Sequence, residues 1–337
     1  MIRFRSLKGD PGAMTQAIRI HEFGGPEVLR FEQVQVGDPG PEQVRLRHTA
    51  IGLNMVDTYY RSGLYPVHLP TGLGGEGAGV VVATGGQVQG LQAGDRVAYA
   101  APPPLDAYAE ERLIDARWLV PLPEGISDET AAAMMLKGLT SWYLLKRSYR
   151  VRAGDWLLLY AAAGGVGLIA AQWAKLLGAH VIGVVSTQEK RELALANGCE
   201  HVVLADQDVV AAVRELTHGE GVAAVYDSVG RATFIQSLDC LRKHGVMVSF
   251  GNASGPVEPV ALLDLTKRGS LYLTRPTLYH FIDERRELEQ AAKELFELVT
   301  AGQLTISVQQ RYGLSDTAQA HRDLEQRRTT GSSVLLP

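Results

Sequence analysis

The amino-acid sequence predicts an α/β protein in which a β-rich domain is followed by a doubly wound domain built on a parallel sheet. The length of 337 residues corresponds to about two domains of ~150 residues each. Residues 17–123 consist of short strand-like runs separated by Gly and Pro, which is typical of an all-β domain. After residue 153 the chain alternates between strand-like and helix-like runs, which is typical of βαβ units.

Composition and charge narrow the class of protein. Hydrophobic residues make up 46% and charged residues 21%, as in ordinary globular proteins, so a disordered chain is excluded. The formal net charge of −4 gives no basic excess to hold a phosphate backbone, so we expect no nucleic-acid partner. The two cysteines, Cys199 and Cys240, are too few for a disulfide framework or a four-thiolate zinc site. They are compatible with the reducing cytoplasm.

Two segments have some features of a targeting signal or a membrane span. Residues 1–13 contain basic residues without a following apolar run, so we expect a flexible extension rather than a secretory signal. Residues 156–174 carry no charge and are about as long as a membrane-spanning helix. Because Gly164, Gly165 and Gly167 interrupt this stretch, it predicts a buried strand, a tight turn and a helix instead.

The β-rich domain is predicted from runs such as AIRIHEF, EQVRLRHTAIGL, GAGVVVATG and DRVAYA, which lie between the turn signals GGPE, DPGPE and QAGD. The pattern changes at Ser127. This residue can cap a helix, Asp128 and Glu129 give the helix an acidic first turn, and apolar residues then recur at helical spacing. A helix is therefore predicted over SDETAAAMMLKGLTSWYLLKRS.

The doubly wound domain is predicted from a regular alternation of elements. Its strands are DWLLLY, HVIGVV, HVVL, VAAVYD, GVMVSFG and SLYLT, and its helices include GVGLIAAQWAKLL, QEKRELALAN and FIQSLDCLRKH. A polar helix near 283–301 and strands at 307–312 and 333–336 end the chain. We expect an extension at 1–13, a β-rich domain at 14–137, the doubly wound domain at 138–278, and a segment at 279–337 that returns to the first domain. This order places a cleft between the two domains.

The segment YAAAGGVGLIAAQWAKLLGAHVIGV predicts a dinucleotide site. It places Ala162, Gly164 and Gly167 between a strand and a helix, with another strand directly after. Small residues are needed here for a tight turn, for close approach of backbone N–H groups to a pyrophosphate, and for helix–strand packing. Ala162 stands where the usual motif has its first glycine, so the motif alone is imperfect. The complete βαβ unit around it favours dinucleotide binding over an ordinary Gly-rich turn.

The end of the second strand favours NADP over NAD. No Asp or Glu ends that strand to bind a ribose 2′-hydroxyl. Ser186 and Thr187 offer hydroxyl groups, and Lys190 offers a cation for a 2′-phosphate. Glu189 is the exception, and its side chain can point outward or favour the helix N-terminus. Lys190 can alternatively be a solvated helix charge.

Several motifs in order resemble a known family. GLGGEGAGVVVATGGQVQGLQAGDRV and AAAGGVG resemble the medium-chain dehydrogenase/reductase superfamily. IGLNMVDTYYRSGLYP, YDSVGRATFIQSLDCL and GSSVLLP are similar to its NADPH:quinone oxidoreductases, the zinc-independent relatives of zeta-crystallin. The match runs from about Met14 to Pro337. The resemblance implies a GroES-like β-rich catalytic domain, a Rossmann domain that binds NADPH, and no catalytic zinc.

The zinc positions of the superfamily are replaced by residues that do not bind the metal. Asn54 stands where zinc alcohol dehydrogenases of this superfamily have a Cys ligand, and Gly75 stands where they have a His ligand. A catalytic zinc needs about three N, S or O ligands from the protein, and these two residues cannot supply two of them. We therefore expect a zinc-independent enzyme, in which alcohol oxidation through a metal-bound alkoxide is disfavoured.

The resemblance also implies which residues hold the cofactor. The pyrophosphate turn is Gly164, Gly165, Val166 and Gly167, and the 2′-phosphate residues are Ser186, Thr187 and Lys190. The other implied cofactor contacts are Tyr143, Val229, Phe250, Asn252, Ala253, Ser254, Pro276, Thr277, Leu278 and Arg327. Val229 and Phe250 can alternatively be ordinary core residues. Ala205 stands where relatives place a Tyr over the phosphate, which removes one hydrogen-bond donor.

The acceptor residues are expected in NMVDTYYRSGLY, the segment that replaces the zinc-binding loop. Its polar members are Asn54, Asp57, Tyr59 and Tyr65. Our hypothesis is that Asn54 and Tyr59 face the nicotinamide and that Tyr65 borders the acceptor pocket. A tyrosine can donate a hydrogen bond to a quinone oxygen without acting as a general acid. Asp57 can alternatively be a helix cap or an ion-pair partner.

Three functions remain open at this level. The leading hypothesis is NADPH-dependent reduction of a small-molecule quinone in the cytoplasm. The first alternative is reduction of the activated double bond of an enal or enone, and the second is a non-catalytic NADPH-binding or RNA-binding protein. The apolar strand GSLYLT, at 269–274, is a candidate edge for a homodimer because an exposed strand edge needs a partner or protection.

Overall fold

The computed structural model describes residues 14–337, so the predicted extension at 1–13 lies outside the described residues. The described chain forms two compact units. The first contains the residues up to Leu136, together with Leu288–Ala292 and Val308–Pro337. The second contains Lys137–Glu287 and Lys293–Ser307.

The strands and helices follow one another along the described chain. The strands are β1 (Met14–Ile20), β2 (Arg30–Gln35), β3 (Gln43–Leu53), β4 (Thr71–Gly72), β5 (Glu76–Thr84), β6 (Arg96–Ala100), β7 (Glu111–Asp115), β8 (Val120–Pro121), β9 (Trp156–Tyr160), β10 (His180–Val185), β11 (His201–Leu204), β12 (Val222–Asp227), β13 (Leu241–Ser249), β14 (Tyr272–Thr274), β15 (Val308–Gly313) and β16 (Ser332–Leu336). The helices are α1 (Met55–Arg61), α2 (Asp128–Tyr143), α3 (Gly165–Leu176), α4 (Gln188–Ala196), α5 (Val209–Leu216), α6 (Phe234–Asp239), α7 (Leu262–Lys267), α8 (Tyr279–Ile282), α9 (Arg285–Thr300) and α10 (Thr317–Glu325).

The first unit is built on two sheets with apolar inner faces. One sheet has the order β2-β1-β4, and the other has the order β15-β16-β3-β5-β6-β8, with β7 also paired to β3. Alternate residues of these strands, such as Ile18, Leu46 and Val97, are buried in one hydrophobic cluster. Strand β16 pairs antiparallel with β3, so the end of the chain is part of the first unit.

The second unit contains the doubly wound sheet that the alternation of strands and helices predicts. Its six strands are all parallel, in the order β11-β10-β9-β12-β13-β14. The strand order reverses between β9 and β12, and ligands of such sheets bind beyond the carboxyl ends of the strands at this point. The two units together confirm the predicted α/β fold class.

The uncharged stretch at 156–174 forms strand β9, a turn and the start of helix α3, as predicted. None of the helices within residues 14–337 is long and apolar enough to cross a membrane. Helix α2 begins after Ser127, whose Oγ accepts a hydrogen bond from the N–H of Thr130 at 3.1 Å, as the predicted cap requires.

Two element predictions were wrong. The predicted helix FIQSLDCLRKH ends at Asp239, because Leu241 begins strand β13, where it pairs with Val222 and is buried. Helix α1 lies in a segment for which the sequence predicts an all-β pattern. It has seven residues, which is too few for an apolar period to show in the sequence.

Candidate active site

The predicted cofactor residues of the second unit gather at one edge of its sheet. All of its strands are parallel, so their carboxyl ends lie at the same edge. The residues that follow these ends are Gly164, Gly165, Val166 and Gly167 after β9, Ser186 and Thr187 after β10, Val229 after β12, Phe250, Asn252, Ala253 and Ser254 after β13, and Pro276, Thr277 and Leu278 after β14. The topology thus brings the residues that follow five strand ends to one edge of the sheet.

The turn between β9 and α3 has the shape of an anion-binding site. Gly164 is the N-cap of α3 and carries no side chain, so no side-chain group caps the first N–H groups of the helix. A Cβ atom on Gly167 would overlap the carbonyl oxygen of Ala161 and come within 2.7 Å of the Cα of Ala162. Ala162 is itself fully buried, with its methyl group beside Gly183. The backbone is therefore packed too closely for larger side chains, and its open N–H groups fit the pyrophosphate of a dinucleotide.

The turn between β10 and α4 carries the predicted 2′-phosphate residues. Thr187 is the N-cap of α4, and its Oγ1 accepts a hydrogen bond from the N–H of Lys190 at 3.3 Å. Hydrogen bonds from the backbone N–H of Glu189 and from the Thr187 hydroxyl lower the pKa of the Glu189 carboxyl. The Glu189 side chain therefore interacts with the N-terminus of α4, which is one of the two positions expected from the sequence, the other being outward into solvent. Ser186 and Thr187 are exposed at this turn.

Asp227, which the sequence interpretation did not select, fixes the loop that carries Val229. Its fully buried Oδ1 accepts hydrogen bonds from the N–H groups of Val229 at 2.7 Å and Gly230 at 3.0 Å. Its Oδ2 accepts from the hydroxyl groups of Thr233 at 2.7 Å and Ser237 at 2.8 Å. The available signal was an acidic residue at the end of the apolar run VAAVY.

The neighbouring loop is tied to the same turn. The Ser254 hydroxyl donates to the carbonyl oxygen of Val229 at 2.8 Å and accepts from the N–H of Ala232 at 3.0 Å. The Asn252 amide, oriented to satisfy both neighbours, accepts from Nη2 of Arg275 at 3.3 Å. Two loops at the carboxyl edge are thereby connected, and Arg275 is a further polar side chain that sequence reasoning missed.

Two other predicted cofactor residues, Tyr143 and Arg327, lie outside these loops, as does Ala205, which stands where relatives place a Tyr. Tyr143 is the last residue of α2 and stacks on Phe281 with ring centroids 4.7 Å apart. Ala205 follows β11, and its N–H donates to the carbonyl oxygen of Val185 at 2.8 Å. Arg327 belongs to the first unit, where it follows α10 with a φ of 59°.

The predicted acceptor residues lie on or beside helix α1 of the first unit. Asn54 is its N-cap, and the N–H of Asn54 donates to Oδ2 of Asp57 at 2.9 Å. Asp57 is fully buried and forms part of this capping box. It therefore acts as a helix cap, which the sequence left open as the alternative to a role at the acceptor. The Asn54 side-chain amide donates to Oε2 of Glu76 at 2.8 Å, and Oε1 of Glu76 accepts from the N–H of Leu136 at 2.7 Å. The amide at the zinc-ligand position is thus held in one orientation by a buried carboxylate.

Three tyrosines form an aromatic cluster at the end of α1. The ring of Tyr65 meets the ring of Tyr59 edge-on at 5.4 Å and the ring of Tyr60 at 5.5 Å. The N–H of Tyr65 donates to the carbonyl oxygen of Tyr59 at 3.0 Å. Burial, Asp57 and Tyr65 raise the pKa of Tyr60 to about 12, so its hydroxyl stays protonated. Tyr60 was not selected from the sequence, although it lies between selected residues.

No three His, Cys, Asp or Glu side chains within residues 14–337 are grouped so that they could hold a metal ion. The position of the Cys ligand in zinc alcohol dehydrogenases is occupied by Asn54, whose amide is hydrogen-bonded to Glu76. The chemistry of these donors, an amide and a carboxylate engaged with each other, does not match the N and S ligands of a catalytic zinc.

Two buried histidines of the first unit predict loss of stability in acid. Burial lowers the pKa of His48 to about 3, aided by Arg112, although the hydrogen bond to Ala109 opposes this shift. Burial lowers the pKa of His321 to about 3 as well, aided by Arg61. Both are therefore neutral in the folded protein but take up a proton in the unfolded chain below about pH 6.5. Stability that is present above pH 6.5 is lost as the pH falls towards 3.

Each histidine is expected to contribute about 1.4 kcal/mol of lost stability per pH unit in this window, or about 2 kcal/mol at pH 5. Denaturant unfolding of the wild type and of His321→Gln between pH 7 and 4.5 measures this contribution. The free energy of unfolding of the variant should depend less steeply on pH, because its unfolding takes up one proton fewer. Identical slopes in the two proteins would mean that His321 is already charged in the folded state.

Each of the two units matches a known protein family. Residues 165–297 match the model of the family described as zinc-binding dehydrogenase, and residues 40–124 match that of the alcohol dehydrogenase GroES-like domain. A quinone oxidoreductase from Pseudomonas aeruginosa is 52% identical over 96% of this chain and 100% of its own length. A 2-haloacrylate reductase from a Burkholderia species is 46% identical over 96% of this chain and 99% of its own.

A solved structure supports the same comparison. The crystal structure of Escherichia coli quinone oxidoreductase complexed with NADPH superposes with a TM-score of 0.94 at 48% identity. The match covers 96% of this chain and 100% of that one. The similarity thus extends across both units.

Proposed function

The chain belongs to the quinone oxidoreductases of the medium-chain dehydrogenase/reductase superfamily, and from this premise we propose that it reduces quinones with NADPH. The observation that carries the proposal is the 52% identity over the full length of a quinone oxidoreductase. The enzyme is an NADPH-dependent oxidoreductase that acts on a small molecule. We propose a cytoplasmic location, which is supported by two free, buried cysteines.

The cofactor-binding residues proposed here are those at the carboxyl edge of the second unit. The N–H groups that begin α3, at Gly165, Val166 and Gly167, are suited to bind the pyrophosphate. Lys190 would neutralise the 2′-phosphate, with Ser186 and Thr187 as neighbours. When bound, NADPH supplies the hydride for the reduction. The remaining predicted contacts, from Tyr143 to Arg327, would shape the site around the rest of the cofactor.

The proposed acceptor residues are those around helix α1. Asn54, held by Glu76, presents a fixed amide, and the tyrosine cluster provides an apolar aromatic surface for a flat quinone ring. A Tyr59 hydroxyl that donates to a quinone oxygen would stabilise the negative charge developing there. Tyr65 borders the same surface. Asp57 acts through the helix cap rather than on the acceptor.

Tyr59→Phe is expected to lower kcat/KM for 1,4-benzoquinone about tenfold, because one hydrogen bond to the reacting oxygen is worth about 1.4 kcal/mol. Asn54→Ala should lower it as well and also reduce stability, since Glu76 would lose a donor in a buried position. Steady-state kinetics at saturating NADPH measure both effects. Tyr312→Phe, which removes a hydroxyl bonded to Asp323 on the first unit, is the matched control. Unchanged kinetics in both site variants would refute the acceptor assignment.

A second candidate function is reduction of an activated carbon–carbon double bond. The observation that favours it is the 46% identity to a protein named 2-haloacrylate reductase, since 2-haloacrylate contains such a bond. The two reactions use the same cofactor and differ in the acceptor. Loss of NADPH absorbance with 1,4-benzoquinone and, separately, with 2-hexenal distinguishes them. We expect oxidation with the quinone and with NADPH preferred over NADH, whereas activity with the enal alone would replace the main proposal.

We also propose a homodimer through the edge strand of the second unit. Strand β14 ends the described sheet, and its Tyr272 is 62% exposed and Leu273 is 39% exposed. Pairing with the same strand of a second copy would cover these side chains and the open strand edge. Mass measurement in solution should give twice the chain mass for the wild type and a smaller mass for Tyr272→Glu. A wild type that stays monomeric at micromolar concentration would contradict this proposal.

A further inference from the structure

A chain of polar side chains is buried beneath helix α1 in the first unit. Arg61, His321, Tyr108 and Asp57 are each no more than 2% exposed. Nη1 of Arg61 lies 2.9 Å from Nδ1 of His321, Nε2 of His321 lies 3.2 Å from the Tyr108 hydroxyl, and that hydroxyl lies 2.7 Å from Oδ2 of Asp57. None of these three contacts is needed to close a sheet or a helix, so this row of hydrogen-bonded side chains calls for another explanation.

The direction of every hydrogen bond in this chain is fixed. Arginine can only donate, so Nδ1 of His321 must accept. Because burial and Arg61 lower the pKa of His321 to about 3, the ring is neutral and its single proton is on Nε2. That proton is donated to the oxygen of Tyr108, whose own proton is donated to Asp57. The chain therefore runs one way, from the guanidinium to the carboxylate.

The two ends of this row of hydrogen-bonded side chains, Asp57 and Arg61, lie close to residues that we propose to be functional. At one end, Oδ2 of Asp57 also accepts from the N–H of Asn54, the residue that begins α1. At the other end, Nη1 and Nη2 of Arg61 bind the two carboxylate oxygens of Glu325 at 3.1 and 2.5 Å. Glu325 is the last residue of α10, and Arg327 follows two positions later. The start of α1 and the end of α10 are thus held in one relative position.

Stability alone is a weak reason for such an arrangement. Buried charged and polar groups must be desolvated, and apolar side chains of similar volume often stabilise a core equally well. A proton-transfer route is also unsuitable, since an arginine within the chain does not release its proton. What these hydrogen bonds do provide is a unique alignment of α1 with α10, because a shift of either helix would leave a buried donor or acceptor without its partner.

We propose that Arg61, His321 and Tyr108 are positioning residues for quinone reduction. They hold α1 through Asp57, so that Asn54 and Tyr59 keep the orientation needed for the acceptor, and they hold the end of α10 that carries Arg327. This inference rests on the proposed function, and it assigns roles to residues up to 260 positions apart in the sequence.

The test uses Tyr108→Phe in the full-length protein, with Tyr99→Phe as the matched control. Tyr99 is also fully buried and hydrogen-bonded to a buried histidine, His48 at 2.8 Å, but it is not connected to Asp57 through the chain described above. We expect kcat/KM for 1,4-benzoquinone to fall about tenfold in Tyr108→Phe, as for the loss of one well-oriented interaction, and to stay unchanged in Tyr99→Phe.

A double-mutant comparison separates positioning from general destabilisation. If Tyr108 acts through Tyr59, the loss caused by Tyr108→Phe should largely disappear in a Tyr59→Phe background. His321→Gln should keep the activity, because its amide oxygen can accept from Arg61 and its amide nitrogen can donate to Tyr108, whereas His321→Leu should lose it. A fully additive double mutant, or equal activity of the Gln and Leu variants, would overturn the proposal.

A readout that does not depend on activity keeps the two proposals distinct. Hydrogen exchange of the α1 amides, at residues 55–61, should speed up in Tyr108→Phe and His321→Leu but not in Tyr99→Phe or His321→Gln. An inactive wild type with this exchange pattern would refute quinone reduction and leave the positioning of α1 supported. Equal exchange in all four variants would refute the positioning even if the wild type reduces quinones.

Discussion

Replacing Gly167 by alanine is expected to weaken NADPH binding at least a hundredfold, a loss of about 3 kcal/mol. The added Cβ would overlap the carbonyl oxygen of Ala161 and lie 2.7 Å from the Cα of Ala162. Both neighbours are backbone atoms, so the start of α3 must move away from the turn after β9. The N–H groups that we propose to bind the pyrophosphate would move with it, and their alignment would be lost.

A fluorescence titration of NADPH measures this effect. Gly86→Ala is the matched control, because a Cβ at Gly86 meets nothing within 4 Å and the backbone there has no positive φ. The control should bind NADPH like the wild type. Wild-type affinity in Gly167→Ala would mean that the cofactor does not use this turn, and the assignment of the phosphate site would have to be abandoned.

Asp227→Ala is expected to lower the free energy of unfolding by about 3 to 5 kcal/mol. The substitution removes the acceptor of two backbone N–H groups and two hydroxyl groups in a fully buried place, and buried donors without partners cost about 1–3 kcal/mol each. Some of this loss is recovered if water enters the vacated space. The loop that carries Val229 also loses its anchor, so NADPH affinity should fall together with stability.

Denaturant unfolding and NADPH titration test the two parts of this prediction. Asp38→Ala, at an exposed position of the first unit, is the control and should change neither quantity. Asp227→Asn should give an intermediate result, since one amide oxygen can still accept from Val229 and Gly230 while the hydroxyl groups reorient. If Asp227→Ala were as stable as the wild type, the carboxylate could not be the anchor of this loop.

The features that the sequence predicts well are those set by local patterns. The order of strands and helices in the second unit and the Gly164–Gly167 turn follow from apolar periodicity and from small residues at a strand end. Ala162, a departure from the usual motif, is tolerated because its methyl group lies beside Gly183, which has no side chain. A missing side chain on the neighbouring strand thus compensates for an added one at the turn.

The features that the sequence does not reveal depend on contacts between distant residues or on very short elements. Arg61 and His321 are 260 positions apart, and nothing near either residue indicates the other. Leu241 to His244 resemble the continuation of a helix, but they belong to strand β13, whose first residue, Leu241, pairs with Val222 of β12. Asp57 was predicted to be either a site residue or a cap, and only the fold shows its N–H partner at Asn54. Tertiary packing decides such cases because local preferences are weak.

The most direct measurement of the central claim is a single-turnover reaction of the NADPH complex with 1,4-benzoquinone in a stopped-flow spectrometer. The account predicts that the nicotinamide absorbance at about 340 nm disappears in one exponential phase in the wild type, and that the phase is absent in Gly167→Ala at the same cofactor concentration. A wild-type complex that binds NADPH but keeps its absorbance after the quinone is added would contradict NADPH-dependent quinone reduction by this chain.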